Sequence, residues 1–451
     1  MSERVLIVGA GFSGTLLAIN LLRFEGPAAV LVERRGDQVA RGVAYSSPHP
    51  SQLLNVRAAG MSAFPDDAAH FVRWLAARGG GVAQSFVPRA TYGDYLRDAL
   101  AEVRARRPDR LTLVEGEACD LARKGDGWRL MLADGGAVRG DQVVLATGNL
   151  PPHPPGGIDP VAFPAGCYLD DPWRADPASG LGAGDTVVLL GTGLTAIDVA
   201  LQLDASGFVG TTIALSRRGL RPRAHRDGLP PVEGETDLPP LPLSRTIRSV
   251  RARAVTLGWR ASVDASRPVT QRLWAASDAA TRARFLRHLR PFWDVHRHRL
   301  APAVAGAIDA MVTDGRLRFA AGKVAHVEPD GKGVILHWRA RHADAQTATR
   351  AARVVNCTGP QGDLTRTTEP LLASLHARGI IRPDALRLGI DVDAQSRVVG
   401  RGGAVDEALC CIGPMTRGGL WEVVAVPDLR RQAWDLARRL AHAQWVGGEG
   451  L

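Results

Sequence analysis

The chain has 451 residues, enough for two or three domains, and 45% of them are apolar, as in an ordinary globular protein. Its net charge is +10, but 53 of the 56 basic residues are arginine and no nucleic-acid-binding motif accompanies them, so nucleic acid is not an expected partner. An apolar strand begins almost at once and no apolar run is long enough to cross a bilayer, so we expect a cytoplasmic protein without a signal peptide or membrane partner.

A strand predicted at residues 5–8 leads into a glycine-rich turn and then into a helix. Gly9 permits the tight turn, Gly11 lets the backbone approach a pyrophosphate, and Gly14 lets the helix pack closely on the strand. The positive end of that helix favours phosphate. Glu33 ends the next apolar run, 24 residues after Gly9, where a carboxylate binds a ribose hydroxyl. The segment predicts a dinucleotide site formed by Gly9, Gly11, Phe12, Ser13, Gly14, Glu33 and Arg34.

A long segment without regular periodicity, residues 41–65, follows this ribose-binding position. A loop of this length inside a compact domain is usually functional. We therefore predict that Asn55 and Met61, which lie in the loop, contact the bound cofactor. The alternative is a structural loop that only packs on the sheet.

A second glycine-rich turn follows the apolar run at residues 187–190, about 180 residues after the first turn. Ala196 replaces the third glycine, which the motif tolerates. The next predicted strand has no acid at its end. Because an acid repels a 2′-phosphate and arginine binds one, the arginines there predict NADP(H); the alternative is that they are ordinary solvated charges. The residues predicted to bind this nucleotide are Gly191, Gly193, Leu194, Thr195, Ser216, Arg217 and Arg218.

Two further predicted strands end in a threonine-glycine pair. The first pair is Thr147 and Gly148, and the second is Thr358 and Gly359. In open α/β sheets, ligands bind beyond the carboxyl ends of the strands. We therefore predict that the backbone crosses close to one dinucleotide at each pair.

The order of these patterns predicts an α/β fold with two Rossmann-like dinucleotide-binding domains. The first domain is discontinuous and comprises residues 1–155 and 352–451. The second comprises residues 156–351. It is predicted to contain a loop-like stretch at residues 222–242 and an arginine-rich helical insert at about residues 244–312.

Several sequence blocks resemble a known family. The blocks are residues 42–45 (Gly-Val-Ala-Tyr), 53–56 (Leu-Leu-Asn-Val), 92–96 (Tyr-Gly-Asp-Tyr-Leu), 292–299 (Phe-Trp-Asp-Val-His-Arg-His-Arg) and 413–414 (Gly-Pro), with Gly418, Trp421 and Glu422. On these blocks the chain resembles bacterial FAD/NAD(P)-binding proteins, most of them uncharacterised, which are related to flavin-containing and N-hydroxylating monooxygenases. The resemblance implies FAD at the first turn and NAD(P)H at the second. Where those monooxygenases carry Phe-x-Gly-x-x-x-His, this chain has Asp170 in place of the histidine.

Because the resemblance implies FAD, the segment before the last predicted helix is predicted to contact the flavin ring. Backbone N–H groups at the helix start, around Gly419 and Leu420, would face the pyrimidine carbonyl of the flavin and stabilise negative charge on the reduced ring. The alternative is an ordinary helix cap. Gly413, in the preceding turn, is predicted to contact the same cofactor.

Metal binding is not expected from the sequence. His288, His296 and His298 lie close together, but the last two are two residues apart and point to different sides of a helix. None of the five cysteines has the two-residue spacing of a redox disulfide or a zinc knuckle. We therefore predict no metal site, and we assign no catalytic side chain.

Together these expectations predict an FAD-dependent oxidoreductase that takes hydride from NADPH. The resemblance favours a monooxygenase acting on a small-molecule substrate. Two alternatives stay open. One is an NAD(P)H-dependent flavin reductase or dehydrogenase without oxygen insertion, and the other is a non-catalytic FAD-binding redox sensor. The sequence leaves the substrate and the oligomeric state undecided.

Overall fold

The computed structural model describes residues 3–226 and 242–443. Most of the predicted loop at residues 222–242 therefore lies outside the described residues, as does the end of the last predicted segment, residues 444–451. Among the helices in the described ranges, none combines the length and the apolar character that crossing a bilayer requires.

The first part of the chain forms seven strands and four α-helices. The strands are β1 (Arg4–Val8), β2 (Ala28–Glu33), β3 (Leu111–Glu115), β4 (Ala118–Lys124), β5 (Gly127–Leu132), β6 (Ala137–Gly140) and β7 (Gln142–Leu145). The helices are α1 (Phe12–Arg23), α2 (Gly42–Tyr45), α3 (His70–Ala76) and α4 (Arg89–Arg106). The predicted long loop thus contains one short α-helix, α2, and a 3₁₀ turn at Ala58–Gly60.

The described residues of the middle part add seven strands and five α-helices. The strands are β8 (Tyr168–Leu169), β9 (Thr186–Leu190), β10 (Thr211–Ser216), β11 (Leu317–Asp330), β12 (Gly333–Ala340), β13 (Gln346–Ala351) and β14 (Arg353–Asn356). The helices are α5 (Leu194–Ala205), α6 (Leu243–Ala275), α7 (Ala279–Arg284), α8 (Arg290–Arg297) and α9 (Pro302–Thr313). Helix α6 breaks at Gly258, where φ is 76°.

The last part contributes α10 (Pro370–Ala377), β15 (Arg397–Val399), β16 (Val405–Cys411) and α11 (Val426–Leu440). Strand β16 returns to the first sheet, whose order is β15-β16-β7-β1-β2-β3. Its strands pair in parallel except for β15, which is antiparallel to β16. Both ends of the chain therefore build one sheet.

The second sheet has the order β13-β12-β11-β10-β9-β14-β8. Strands β8, β14, β9, β10 and β11 pair in parallel, and β12 and β13 add an antiparallel edge. A third, antiparallel sheet consists of β4, β5 and β6. The predicted α/β fold, with two Rossmann-like units of which the first is discontinuous, is confirmed, while the exact domain boundaries stay predictions.

The first sheet is buried on both faces, which explains why its central strands are continuously apolar. Along β1, Val5 and Ile7 pack in a core with residues of α1, α4 and α11. The alternate residues, Leu6 and Val8, pack with residues of α10 and the three-stranded sheet. The two faces of one short strand thus hold both layers against it.

The predicted helical insert divides into two parts with different neighbours. Helix α9, which contains Ile308 and Met311, shares an apolar core with Val187 and Leu189 of β9. It leads directly into β11, which pairs in parallel with β10. Helix α9 is therefore the crossover helix of the second sheet, and the helices before it form the insert proper.

A buried ion pair joins the two units. Arg89, the first residue of α4, places Nη2 2.8 Å from Oδ2 of Asp198 on α5. Only 9% of the Asp198 side chain is exposed. Burial raises the pKa of Asp198, and the neighbouring Arg89 guanidinium opposes that rise. The charges are shielded from water, so the units are held together at this point by paired rather than solvated groups.

Candidate functional site

The first glycine turn connects β1 to α1 as the sequence predicts. Gly9 has φ of 101°, and a Cβ atom there would lie 2.4 Å from the carbonyl oxygen of Ala146. A Cβ atom at Gly14 would lie 1.9 Å from the carbonyl oxygen of Gly9. Thr147 is also adjacent to Gly9, so the structure brings the first threonine-glycine pair to the first turn.

Glu33 closes the side of this turn. Its Oε2 atom accepts a hydrogen bond of 2.9 Å from the Ala10 N–H, and its Oε1 atom accepts one of 3.2 Å from the Arg35 N–H. The carboxylate is therefore fixed at the rim of the turn, where the sequence predicts a ribose ligand. Arg34 points elsewhere, because its guanidinium pairs at 2.9 Å with Glu369 beside α10.

The start of α1 meets the last part of the chain. A Cβ atom at Gly413, where φ is 90°, would lie 3.0 Å from Ser13 Oγ. The Gly413 N–H donates to Oε1 of Gln432 on α11 at 2.8 Å. Phe12 packs against the rings of Tyr45 and Tyr92. Three predicted contacts, Phe12, Ser13 and Gly413, are thus gathered at one helix end.

The predicted role of Gly419 and Leu420 needs correction. Helix α11 begins at Val426, so neither residue is at its start. Both N–H groups donate to the carbonyl oxygen of Thr416, at 3.1 and 3.0 Å. The sequence pattern placed the helix start too early, because the apolar residues after Leu420 belong to a turn rather than to the helix.

The same segment is tied to the helical insert through its carbonyl groups. Trp274 Nε1 donates to the Gly418 oxygen at 2.8 Å, and Gln271 Nε2 donates to the Gly419 oxygen at 3.0 Å. Both donors lie on α6. The insert therefore contacts the chain just beyond the turn that packs on α1.

Asn55 and Met61, the two loop residues predicted to contact the cofactor, lie in different parts of the structure. Met61 is 2% exposed and belongs to the core of the first unit. Asn55 instead lines a cavity next to the second glycine turn, and its carbonyl oxygen lies 2.9 Å from Nε2 of His225. Burial lowers the pKa of His225. The structure thus brings Asn55, and not Met61, to the space between the units.

The second glycine turn repeats the close approach of the first. Gly191 has φ of 134°, and a Cβ atom there would lie 2.3 Å from the carbonyl oxygen of Cys357. That residue directly precedes Thr358 and Gly359, the second threonine-glycine pair. A Cβ atom at Gly193 would meet nothing within 4 Å, so the space beside it is open to a ligand.

Ser216 takes the place that Glu33 holds in the first unit. Its Oγ atom lies 2.9 Å from Thr192 Oγ1 in the turn and accepts a hydrogen bond of 3.0 Å from the Gly219 N–H. The end of the strand is therefore tied to the glycine turn without a negative charge. This arrangement leaves the ribose side of the second site compatible with a phosphate.

A cavity of about 800 Å³ opens from the second turn. Residues of both units and of the insert line it. The predicted residues among them are Asn55, Gly191, Gly193, Leu194, Thr195, Ser216, Arg217, Thr358 and Gly359. The structure therefore collects nearly all the predicted contacts of the second site around one space.

The rest of the cavity wall carries side chains that are not among the predicted site residues. They are Arg290, Trp293, Asp294 and His298 on or beside α8, with Arg417, Trp421 and Glu422 from the last part of the chain. The first four recur at helical spacing along residues 290–298, so periodicity could have indicated one shared face. Five of them lie in the sequence blocks quoted for the resemblance, but the blocks alone did not make them predicted site residues: Trp293, Asp294, His298, Trp421 and Glu422.

The charges of this wall are largely paired with one another. Glu422, whose side chain is 6% exposed, accepts from Arg297 Nε at 3.1 Å and from Trp293 Nε1 at 3.2 Å. Burial lowers the pKa of Arg417 to about 10. Burial also lowers the pKa of His298, whereas the nearby Asp294 carboxylate raises it. The wall is thus fixed by its own ion pairs and contains both signs of charge.

A second cavity, of about 660 Å³, adjoins the first at Arg217. Its charged lining is mostly basic and comprises Arg217, Lys323, Arg339, Arg341 and His342, with Asp344 as the acid. Arg218 is directed away, since its guanidinium lies 5.3 Å from the ring centre of Phe292. The predicted arginine pair is therefore divided, and the hairpin of β11 and β12 supplies basic residues that the sequence analysis missed.

Comparison with known proteins agrees with this geometry. A family model described as FAD-NAD(P)-binding matches residues 6–150, which include the first glycine turn and the first threonine-glycine pair. The predicted cofactor class is thereby confirmed, and so is the resemblance on which the sequence analysis relied.

The uncharacterised protein YdhS of Escherichia coli K12 is 25% identical to this chain over 220 residues. The match covers 45% of this chain and 39% of YdhS, so the chain spans well under half the length of this curated relative.

Two solved structures share the fold over almost the whole chain. FAD-bound DfoA, a cadaverine monooxygenase of Erwinia amylovora, is 13% identical, with a TM-score of 0.68 over 98% of this chain and 95% of DfoA. KtzI, an ornithine N-hydroxylase of Kutzneria sp. 744 in a complex with reduced FAD, NADP⁺ and L-ornithine, is 16% identical, with a TM-score of 0.64 over 98% and 99% of the two chains. At these identities the likeness establishes the fold.

Proposed function

We propose that this chain is an FAD-dependent oxidoreductase that takes hydride from NADPH and uses it to oxygenate a small molecule. The observation that carries this proposal is the cavity of about 800 Å³ shared by the two units. It reaches from the second glycine turn to Asn55, a residue of the loop that belongs to the first unit. A nucleotide held at the second turn would therefore face the first unit.

The first turn fits FAD. Gly9 and Gly14 have no room for a side chain, and the Glu33 carboxylate is held at the rim where a ribose hydroxyl can donate to it. The start of α1 would favour the pyrophosphate, with Ser13 and Gly413 beside it. Bound FAD supplies acceptance of hydride and reaction with oxygen, and the protein supplies its binding and orientation.

The second turn fits NADPH better than NADH. Ser216 leaves the ribose side without a carboxylate, and Arg217 lies where the two cavities meet. Lys323 and Arg341 lie around the second cavity and add positive charge. Because a 2′-phosphate is strongly anionic, this group of cations would bind it and would gain little from a free hydroxyl.

The wall formed by α8 and the Arg417–Glu422 segment would hold the substrate and exclude water. Trp293 and Trp421 give it apolar surface, while Arg290 and Asp294 lie side by side, with Arg290 Nε 3.2 Å from Asp294 Oδ2. A wall with both signs of charge suits a diamine or an amino acid, which are also the substrate types that DfoA and KtzI name. We therefore propose amines and amino acids as the substrate class.

The test has two stages. Protein reconstituted with FAD is mixed with NADPH without oxygen, and the visible absorbance of the flavin is followed. We expect rapid loss of this absorbance with NADPH and slower loss with NADH. The control variant Ser216→Glu places a carboxylate at the second ribose position, so it should reverse the preference for NADPH over NADH.

In the second stage, air is admitted with a panel of diamines and amino acids, and hydroxylated product is measured against hydrogen peroxide. Product from at least one compound supports oxygen insertion. Peroxide equal to the NADPH consumed, with every compound, would instead assign the chain to reductases without oxygen insertion. A protein that binds FAD but is not reduced by NADPH would contradict the proposal and would favour a redox sensor.

A further inference from the structure

Three metal-ligating side chains meet on the outer face of the β11–β12 hairpin. His326 on β11 lies directly opposite His337 on β12 in the antiparallel register. Glu328 is two residues after His326, so both side chains project from the same face of β11. Val334, Leu336 and Trp338 of β12 are buried on the opposite face. The hairpin thus presents two imidazoles and one carboxylate together, facing outward.

The distances between these groups match those of a metal's ligands. His326 Nε2 lies 3.1 Å from Glu328 Oε1, and His337 Nε2 lies 3.4 Å from Glu328 Oε2. One ligand atom from each residue falls within 4.8 Å of the other two. Zinc binds nitrogen and oxygen at about 2.1 Å, which places two ligands of a tetrahedron about 3.4 Å apart. The three groups could close on one ion with small side-chain rotations.

The two imidazole rings are arranged to point their ligand atoms the same way. Their planes are within 9° of parallel, and their centres lie 4.4 Å apart. Both Nε2 atoms face Glu328. Nε2 of His337 is shielded from solvent, and the Glu328 carboxylate is its neighbour at 3.4 Å. A cation bound between the two imidazoles and the carboxylate would give this shielded nitrogen a direct ligand bond.

We propose that His326, Glu328 and His337 bind one divalent transition-metal ion, with Zn²⁺ as the representative of the class. Two imidazoles and one carboxylate are ligands that zinc accepts, and a fourth position stays open to water or to another ligand. The site lies outside the cavity between the two units, and none of the three residues lines that cavity. The proposal therefore stands independently of the proposed oxidoreductase activity.

Nearby cations limit the affinity of this site. Lys323 pairs with Arg339 in the hairpin register, and Arg339 is two residues from His337 on the same face of β12. These positive charges repel a divalent cation. We therefore expect a dissociation constant on the order of micromolar rather than nanomolar.

The test is a calorimetric titration of the chelator-treated, full-length protein with ZnCl₂. We expect one equivalent of Zn²⁺ per chain, bound with a dissociation constant on the order of micromolar. His326→Ala and His337→Ala should each weaken it at least about tenfold, a change of 1.4 kcal/mol. Glu328→Gln, which keeps the shape of the side chain and removes its charge, should weaken it as well. His288→Ala removes an exposed histidine of the insert and serves as the matched control, which should bind Zn²⁺ like the wild type.

A second readout addresses the geometry of the site. Co²⁺ bound to the wild type should give the intense visible absorbance of a tetrahedral or five-coordinate site, and the His337→Ala variant should lose it. Equal Zn²⁺ affinity in the wild type and the His337→Ala variant would overturn the proposal, as would a wild type that binds no such equivalent of Zn²⁺. Thermal melting of each variant verifies that it is folded.

Discussion

The first and second glycine turns have a similar backbone conformation and differ in the residue that ends the following strand. In both turns the first glycine lies against a crossing strand, at Ala146 in one and at Cys357 in the other. Glu33 then brings a carboxylate to the first turn, whereas Ser216 brings a hydroxyl to the second. From this comparison we infer that the backbone of each turn would accommodate a pyrophosphate and that the residue at the strand end would select the ribose.

The largest effect that this comparison predicts comes from the third glycine of the motif. Gly14→Ala would place a methyl group 1.9 Å from the Gly9 oxygen, so the turn must move. We expect a loss of about 3 kcal/mol of unfolding free energy and a protein that is purified without FAD. Urea unfolding and the flavin absorbance of the purified protein measure the two effects.

The second turn provides the matched control, because Ala196 already occupies the equivalent position. Ala196→Gly should cost at most about 1 kcal/mol, from the lower helix propensity of glycine, and should leave the KM for NADPH nearly unchanged. A Gly14→Ala variant that retains FAD would show that the two turns are less different than the structure indicates.

The contact between the units gives the next largest effect. Arg89→Ala leaves the buried Asp198 carboxylate without its partner, and we expect a loss of about 3 kcal/mol in unfolding free energy. Arg106→Ala, which breaks an exposed ion pair with Glu102 on the same helix, should cost about 0.5 kcal/mol or less. Chemical unfolding of both variants measures the difference, and equal losses would contradict the buried character of the Arg89 pair.

The two residues that end the strands, Glu33 and Ser216, are predicted to differ in their effect on FAD binding. Glu33→Ala removes a carboxylate that accepts the Ala10 N–H, so we expect FAD affinity to fall about 100-fold, or 2.7 kcal/mol. Ser216→Ala should leave FAD affinity unchanged. Fluorescence titration of the apoprotein with FAD gives both constants. If the two variants bound FAD equally, Glu33 would have no role in binding the ribose.

The smallest predicted effect is on the KM for NADPH, and it should distinguish Arg217 from Arg218. Arg217 lines both cavities, so Arg217→Ala should raise the KM for NADPH about tenfold with little change for NADH. Arg218 contacts Phe292 instead, so Arg218→Ala should change both KM values by less than about twofold. Steady-state oxidation of both nucleotides provides the comparison. A larger NADPH defect in the Arg218 variant would reverse the assignment.

The sequence predicted well those features that depend on residues close together in the chain. Each glycine turn, with the strand before it and the helix after it, is specified by about 15 neighbouring residues and appears where expected. The position of Glu33 followed from the number of residues between it and Gly9, because strand, helix and strand have nearly fixed lengths in this motif. The two threonine-glycine pairs were found for the same reason.

Features that depend on how distant segments meet were not predicted. The pairing of Arg34 with Glu369 and the burial of Met61 follow from packing between separate elements. The assignment of α9 to the second sheet likewise needed the fold, since its helical pattern continues that of the insert. The grouping of His326 with His337 depends on hairpin register. That register shifts between Val324 and His326, which periodicity does not reveal.

The Arg89–Asp198 pair also restricts how the protein can work. A swivel that drew Arg89 away from Asp198 while the carboxylate stayed buried would leave that charge without a partner, at a cost of about 3 kcal/mol or more. Such a penalty would leave the swivelled arrangement populated in fewer than about one molecule in a hundred. For the proposed hydride transfer, we therefore expect the two halves to keep one orientation while the ligands move during turnover.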